Sequence, residues 1–273
     1  MKKLAFRTIF ISDVHLGTRD ARTDYLLEFL QHSECENLYL LGDIFDLWKL
    51  RRGWYWPSIN NQIVQLVLNK AKHGTRVVYI PGNHDEKLRD FHGMSIQGIE
   101  ILPELIHETA DGRRLLLTHG DEFDSVVLTN WFASLVGNIG YDVFLWLNRQ
   151  YNGMRRRLGF PYWSLSTYLK SHVKNAMSHI ERYAEACIHE ARNRGYDGVV
   201  SGHIHHAGIS DVSGISYFNT GDWVENCTAL AEDEHGQISV IHWTRERRTL
   251  IGQDNVLRPA NGFLKKSPRR RAA

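Results

Sequence analysis

The sequence predicts an α/β fold with a helical insertion, and three patterns predict it. Short apolar runs recur, each closed by a polar, glycine-bearing turn: LAFRTIFIS before DVHLG, NLYLL before GDIFD, TRVVYI before PGNHD, RRLLLT before HGDEF and DGVVS before GHIHH. Such runs suit strands buried on both faces, whose C-terminal loops carry the polar groups. Helical periodicity separates several of them, around residues 22–32 and 59–73, so the first half reads as βαβ units. From about residue 208, the alternating runs GISYFN, CTALAE and QISVIHW predict antiparallel strands that close a second sheet.

The elements follow in chain order. The start, MKKLAFRTIFISDVHLG, reads as a first strand and not as a signal peptide, because Arg7 interrupts the apolar run and no small-residue cleavage site follows it. After His119 come about 75 residues without a clear strand. Leu128, Trp131, Phe132, Leu135, Val136 and Ile139 keep a helical spacing, and the glycines at 137 and 140 predict two short apolar helices broken there. Leu169, Val173, Ala176, Ile180, Ala184, Cys187 and Ala191 form one long amphipathic face that ends at Gly195, a C-cap residue. The tail FLKKSPRRRAA is basic and aperiodic, so it is expected to be disordered or to touch an anionic surface. The expected division is one domain over 1–260, a helical cap over about 122–165, and a basic tail over 261–273.

Bulk properties narrow the classes. A net charge of +2 argues against a general nucleic-acid binder. Three scattered cysteines without CxxC spacing argue against a thiolate zinc site or a disulfide framework and predict a reduced, cytoplasmic setting. The most apolar stretch, 131–147, contains Asn138, Asp142 and two glycines, so no spanning helix is expected.

The five loops collect Asp13 and His15, Asp43 and Asp46, Asn83, His84 and Asp85, His119, and His203 and His205. In an extended GHIHH segment, alternate side chains share a side, so His203 and His205 can converge while His206 faces away. Carboxylates, imidazoles and an amide oxygen suit borderline divalent ions, and their number exceeds the needs of one. DVHLG, GDIFD, GNHD, LTHGD and GHIHH, in this order over about residues 6–225, resemble the five signature blocks of the calcineurin-like metallophosphoesterases.

That resemblance implies two stacked sheets flanked by helices, a four-layer α/β/β/α sandwich. It implies one ion on Asp13, His15 and His205, a second on Asn83, His119 and His203, and Asp43 between them. Manganese is the first expectation, with iron, zinc or cobalt as alternatives. The implied reaction is attack on phosphorus by a metal-activated hydroxide, with His84 stabilising phosphoryl charge or protonating the leaving oxygen and Asp46 orienting His84.

The substrate must be read from what is added to the scaffold. Trp131 and Phe132 in the insertion, beside Arg149, Arg155, Arg156 and Arg157, suggest a groove for acyl chains rimmed by guanidinium groups for phosphates. GDIFDLW, GDW at 221–223 and a helical insertion after HGD look like a branch of the family, the bacterial UDP-2,3-diacylglucosamine pyrophosphohydrolases of lipid A synthesis, which release UMP and act as peripheral membrane proteins on the inner membrane. The chain departs from them at GNHD, where those proteins carry GNRD. The alternatives left open are a paralogue acting on another phosphomonoester or phosphodiester and, below it, a metal-bound scaffold without catalysis.

Overall fold

A computed structural model describes residues 3–125, 138–158 and 174–252. Trp131, Phe132, Gly137 and the tail 261–273 lie outside the described residues.

Three parallel strands, β1 (Leu4–Ile11), β2 (Ser33–Leu41) and β3 (Arg76–Ile80), form the centre of the first sheet. They are joined by α1 (Thr23–His32), α2 (Leu47–Arg52) and α3 (Ser58–Lys72), close to the helices predicted at 22–32 and 59–73. Alternate residues of β1 face opposite layers. Ile9 and Ile11 pack with Phe29 and Ile63 under the helices, while Phe10 packs with Tyr39, Leu117, Val200 and Phe218 between the sheets. Burial on both faces explains why the run carries so little polar alternation.

The hairpin β4 (Ser95–Ile96) and β5 (Ile99–Ile101) extends this sheet beyond β3. The second sheet comprises β6 (Leu105–Glu108), β7 (Arg114–Leu117), β8 (Gly198–Ser201), β9 (Gly208–Val212) and β10 (Ile215–Asn219), in the order β6-β7-β8-β10-β9. Its outer face is covered by α5 (Lys174–Asn193), following α4 (Asn138–Arg157) in the chain; Tyr183, Cys187 and Ala191 of α5 pack on Leu116, Val199 and Tyr217. The result is the expected α/β/β/α layering. Gly195, with φ +72°, follows the end of α5 as the sequence predicts. Among the described residues no helix is long and apolar enough to cross a membrane.

One expectation is corrected. β11 (Thr228–Glu232) and β12 (Ile238–His242) do not close the second sheet; they pair antiparallel beside β1, giving the order β12-β11-β1-β2-β3-β5-β4, before the last helix, α6 (Trp243–Gly252). Their alternation is one of size and not of polarity: Leu230 fills the space between the sheets, while Ala229 and Ala231 lie under the helices. The described part of the insertion agrees with a helix start at the expected break, because α4 begins at Asn138, between Gly137 and Gly140; the helix expected before it lies outside the described residues.

Because β1, β2 and β3 are parallel, and β7 is parallel to β8, their C-terminal ends deliver all five polar loops to one edge of the sandwich.

A buried polar bridge joins the two sheets. Glu232 on β11 lies 2.8 Å from His107 Nε2 on β6, accepts Arg7 at 2.7 Å, and accepts the Ala110 amide at 2.8 Å. Burial pushes this carboxyl up, but the hydrogen bonds from His107, Thr8 and Ala110 outweigh it and hold the group down at about 2. A group depressed in the folded state contributes stability above its usual 4.5 and loses it as pH falls toward 2. Urea unfolding should therefore show stability falling by roughly 3 kcal/mol between pH 5 and 2 from this group, a slope that Glu232→Gln flattens. Identical slopes for the two proteins would contradict this account.

Candidate functional site

The loops that carry the predicted ligands have unusual backbones. Among the described residues, eight that are not glycine have positive φ, and five of them are Asp13 (51°), His15 (53°), Asp43 (54°), His203 (70°) and His205 (52°). Such conformations cost of order 1–3 kcal/mol each and persist where the surroundings over-determine them. Here the loops brace one another. Val14 and His15 donate their amides to the Asp43 carbonyl at 2.9 Å, Leu16 donates to Ile44 at 2.8 Å, and Asp46 donates back to Leu16 at 2.9 Å. Gly82 is required for space: a Cβ there would lie 2.3 Å from Asp43 Oδ1 and 2.7 Å from His119.

All seven predicted ligands come together. Asp13, His15 and His205 form one cluster, and Asp43, His119 and His203 form another, with the facing donor atoms of each within 4.8 Å. In the first, His205 Nε2 lies 3.1 Å from Asp13 Oδ1 and 3.4 Å from His15 Nε2. In the second, His119 Nε2 lies 3.5 Å from Asp43 Oδ2 and 3.3 Å from Asn83 Oδ1. Asp43 Oδ2 is also 3.9 Å from His15 Nε2, so it stands between the two groups. His119 donates Nδ1–H to the Leu41 carbonyl at 2.8 Å, which turns the lone pair of Nε2 toward the cluster.

The electrostatics favour bound positive charge. Burial pushes Asp13 up, yet the His205 imidazole beside it holds it down at about 2. Burial likewise opposes ionisation of Asp43, which His119, His15 and His84 hold well below the usual carboxylate range. Burial lowers His119, but the Asp43 charge and hydrogen bond raise it to about 10. Without another cation, an imidazole proton supplies the balancing charge. Carboxylate, imidazole and amide donors facing one another around such an excess of negative charge fit two divalent ions.

A third cluster comprises His15, Asp46 and His84. One oxygen, Asp46 Oδ2, lies 3.1 Å from His84 Nδ1 and 3.3 Å from His15 Nδ1, while Oδ1 caps α2 by accepting the Lys49 amide at 2.7 Å. His84 Nε2 points the other way, 4.0 Å from Asp43 Oδ2.

Several contributors escape pattern reading. Asp85 is buried and accepts the amides of Ile44 (2.8 Å), Phe45 (3.2 Å) and Gly82 (2.6 Å), with the Tyr79 hydroxyl, so one carboxylate ties the GDIFD loop to the GNHD loop. Its place inside GNHD was the available signal. Trp48 lies against His84 with ring centroids 4.2 Å apart, and Asp124 Oδ1 lies 2.9 Å from His203 Nε2; neither spacing distinguished them. His206, expected to face away, is half-buried.

The predicted arginines divide. Arg149 on α4 lies 3.2 Å from Asp20, in the loop that follows His15, which ties the insertion helix to the site edge. Arg155 stacks on Tyr151 one turn earlier on the same helix, at 5.6 Å, and Arg156 and Arg157 are exposed in its last turn.

Comparison with known proteins agrees with this geometry. Over 247 residues the chain is 25% identical to a UDP-2,3-diacylglucosamine hydrolase of Haemophilus influenzae (strain PittGG), covering 85% of this chain and 97% of that protein. It is 27% identical over 246 residues to a protein of the same name from Xanthomonas oryzae pv. oryzae, covering 84% and 96%. Among solved structures, an Escherichia coli phosphoesterase, YfcE, matches at 17% identity with a TM-score of 0.41 over 86% of this chain and 98% of that one. The profile of the calcineurin-like phosphoesterase family matches residues 6–207, about three quarters of the sequence, and the chain is a member of that family, a hydrolase of phosphoesters.

Proposed function

We propose that the protein hydrolyses a phosphoric ester or pyrophosphate at this edge, with one divalent ion held by Asp13, His15 and His205 and a second by Asn83, His119 and His203. The carrying observation is that Asp43 Oδ2 lies between the two clusters, 3.9 Å from His15 and 3.5 Å from His119. When bound, a pair of divalent ions, manganese in our reading, neutralises phosphoryl oxygens and lowers the pKa of water.

The chain's own groups do the rest. His84 turns Nε2 toward Asp43, 4.0 Å away, while its Nδ1 lies 3.1 Å from Asp46 Oδ2, so a proton carried on Nε2 would be available to the leaving oxygen. Asp46 holds His15 through the same oxygen, which fixes the angle between the two rings. The Leu41 carbonyl fixes the tautomer of His119.

We infer a lipid-linked nucleotide sugar of the UDP-2,3-diacylglucosamine class as substrate, with UMP and the acylated sugar phosphate as products. Support comes from the activity for which relatives matched over nearly their whole length are named and from the Arg149 contact that sets α4 beside the site. His84 in place of the arginine of GNRD favours one second reading, a paralogue acting on another phosphoester, because imidazole can act as an acid where guanidinium cannot. One domain over 1–260 with its cap at about 122–165 fits either substrate.

Contact with an anionic membrane face is also proposed, by the edge around α2. Trp54 is 78% exposed, Arg51 and Arg52 are exposed, and no Asp or Glu occurs between residues 47 and 84. Tryptophan and arginine suit the headgroup layer, where each basic residue contributes about 1 kcal/mol.

Three measurements test these readings. Mass spectrometry after incubation with UDP-2,3-diacylglucosamine and manganese should find UMP; intact substrate beside hydrolysis of bis-para-nitrophenyl phosphate would select the paralogue, and no hydrolysis of either would remove the catalytic reading. His84→Gln should lower kcat by about 10²–10⁴-fold with both metal equivalents retained, and parallel loss of metal would refute its role as an acid. The protein should sediment with phosphatidylglycerol vesicles more than with phosphatidylcholine vesicles, and an Arg51→Ala, Arg52→Ala, Trp54→Ala triple variant should remain in the supernatant.

A further inference from the structure

The GDWVEN turn, residues 221–226, lies directly behind one half of the site. Asp222 is fully buried, and its Oδ1 accepts the amides of Val224 (2.8 Å), Glu225 and Asn226 (3.1 Å). Its Oδ2 accepts the side-chain amide of Asn226. Amides converging on one carboxylate hold the turn rigid. Asn226 Nδ2 also donates to the His205 carbonyl at 3.1 Å, and the Trp223 amide donates to the Asp13 carbonyl at 2.9 Å. Trp223 is itself fully buried, with its ring 5.4 Å from Phe29 of α1.

The close approach depends on Gly221. Its φ is +76°, and a Cβ there would lie 2.8 Å from the Ala207 side chain and 2.1 Å from Thr228 Oγ1. The turn can therefore press against the segment that follows His205.

We propose that Asn226, locked by Asp222, is the positioning residue for the cation site of Asp13, His15 and His205, and for that site alone. The inference rests on the two-cation reading above. His205 has φ 52°, a left-handed conformation that is strained for a residue with a Cβ. Holding its carbonyl fixes the peptide plane and with it the direction of the imidazole, whose Nε2 lies 3.1 Å from Asp13 Oδ1. Without the amide of Asn226, the backbone is free to relax toward negative φ and swing the ring away.

The second cluster is anchored by other groups. His119 hangs from the Leu41 carbonyl at 2.8 Å, and the His203 amide donates to Asp13 Oδ2 at 2.9 Å. Asn219 Nδ2 donates to the Gly202 carbonyl at 2.7 Å, which holds the start of the GHIHH loop. None of these bonds passes through Asn226.

The test is calorimetric titration of chelator-stripped protein with Mn²⁺, with thermal unfolding of the stripped protein as a fold control. Wild type should take two equivalents, and fewer than two would defeat the two-cation reading itself. Asn226→Ala should weaken one step by about 10–100-fold and leave the other within about twofold. His205→Ala should weaken the same step, and the double variant should be no worse than His205→Ala alone. Equal weakening of both steps, no weakening, or additive losses in the double variant would each overturn the proposal. Should Asn226→Ala unfold, Asn226→Ser, which keeps a donor for Asp222 but is too short to reach His205, is expected to give the same one-step loss.

Discussion

The site is organised around the buried charge of Asp43. One of its carboxylate oxygens has imidazole nitrogens of His119, His15 and His84 at 3.5, 3.9 and 4.0 Å, and the other accepts the His84 amide at 2.8 Å. An isolated carboxylate in such a place costs several kcal/mol, so its neighbours are constrained more tightly than packing alone would require. Asp13, Asp46 and Asp85 are buried beside it. Four carboxylates among imidazoles leave the edge short of positive charge, and that shortage favours the binding of divalent cations.

Bringing those groups to one point strains the backbone, and a second layer of polar groups carries the strain. The atoms facing the site are imidazole nitrogens and carboxylate oxygens; the atoms behind it are amides and carbonyls. Asp85 gathers amides from two loops, Asn219 holds Gly202, and Leu41 orients His119. Left-handed Asp43 and His205 are likewise held from the rear, by the Asp85 carboxylate and by the Asn226 amide. The parallel strands make this possible, because they end side by side and their loops exchange backbone hydrogen bonds directly.

Legibility in the sequence follows the same division between front and rear. The ligands were readable because residues such as Asp43, Asn83, His119 and His203 sit next to glycines at the ends of apolar runs, where chemistry and local pattern coincide. The strand cores were readable for the same reason, but the partner of β11 was not: Thr-Ala-Leu-Ala-Glu alternates in size in a way that a half-exposed strand would alternate in polarity. The rear layer was opaque. Asn226, Asn219 and Trp48 act through contacts between segments far apart in the chain, and nothing in their local spacing separates a buried anchor from an ordinary turn or helix residue.

His84 shows what such a frame allows. Its ring meets His15 edge-on at 4.6 Å and lies against Trp48 at 4.2 Å, while Asp46 takes Nδ1. With both flanks and one nitrogen engaged, Nε2 is the atom left to meet a substrate. A guanidinium in that position would offer several donors that never lose their protons, and would stabilise charge without delivering a proton. An imidazole offers one proton in one direction, so in the proposed reaction its value depends on the leaving oxygen arriving on that line. Asp46 Oδ2 lies beside both His84 and His15, so the angle between the two rings is set by a single carboxylate, and a shift in either ring is transmitted to the other.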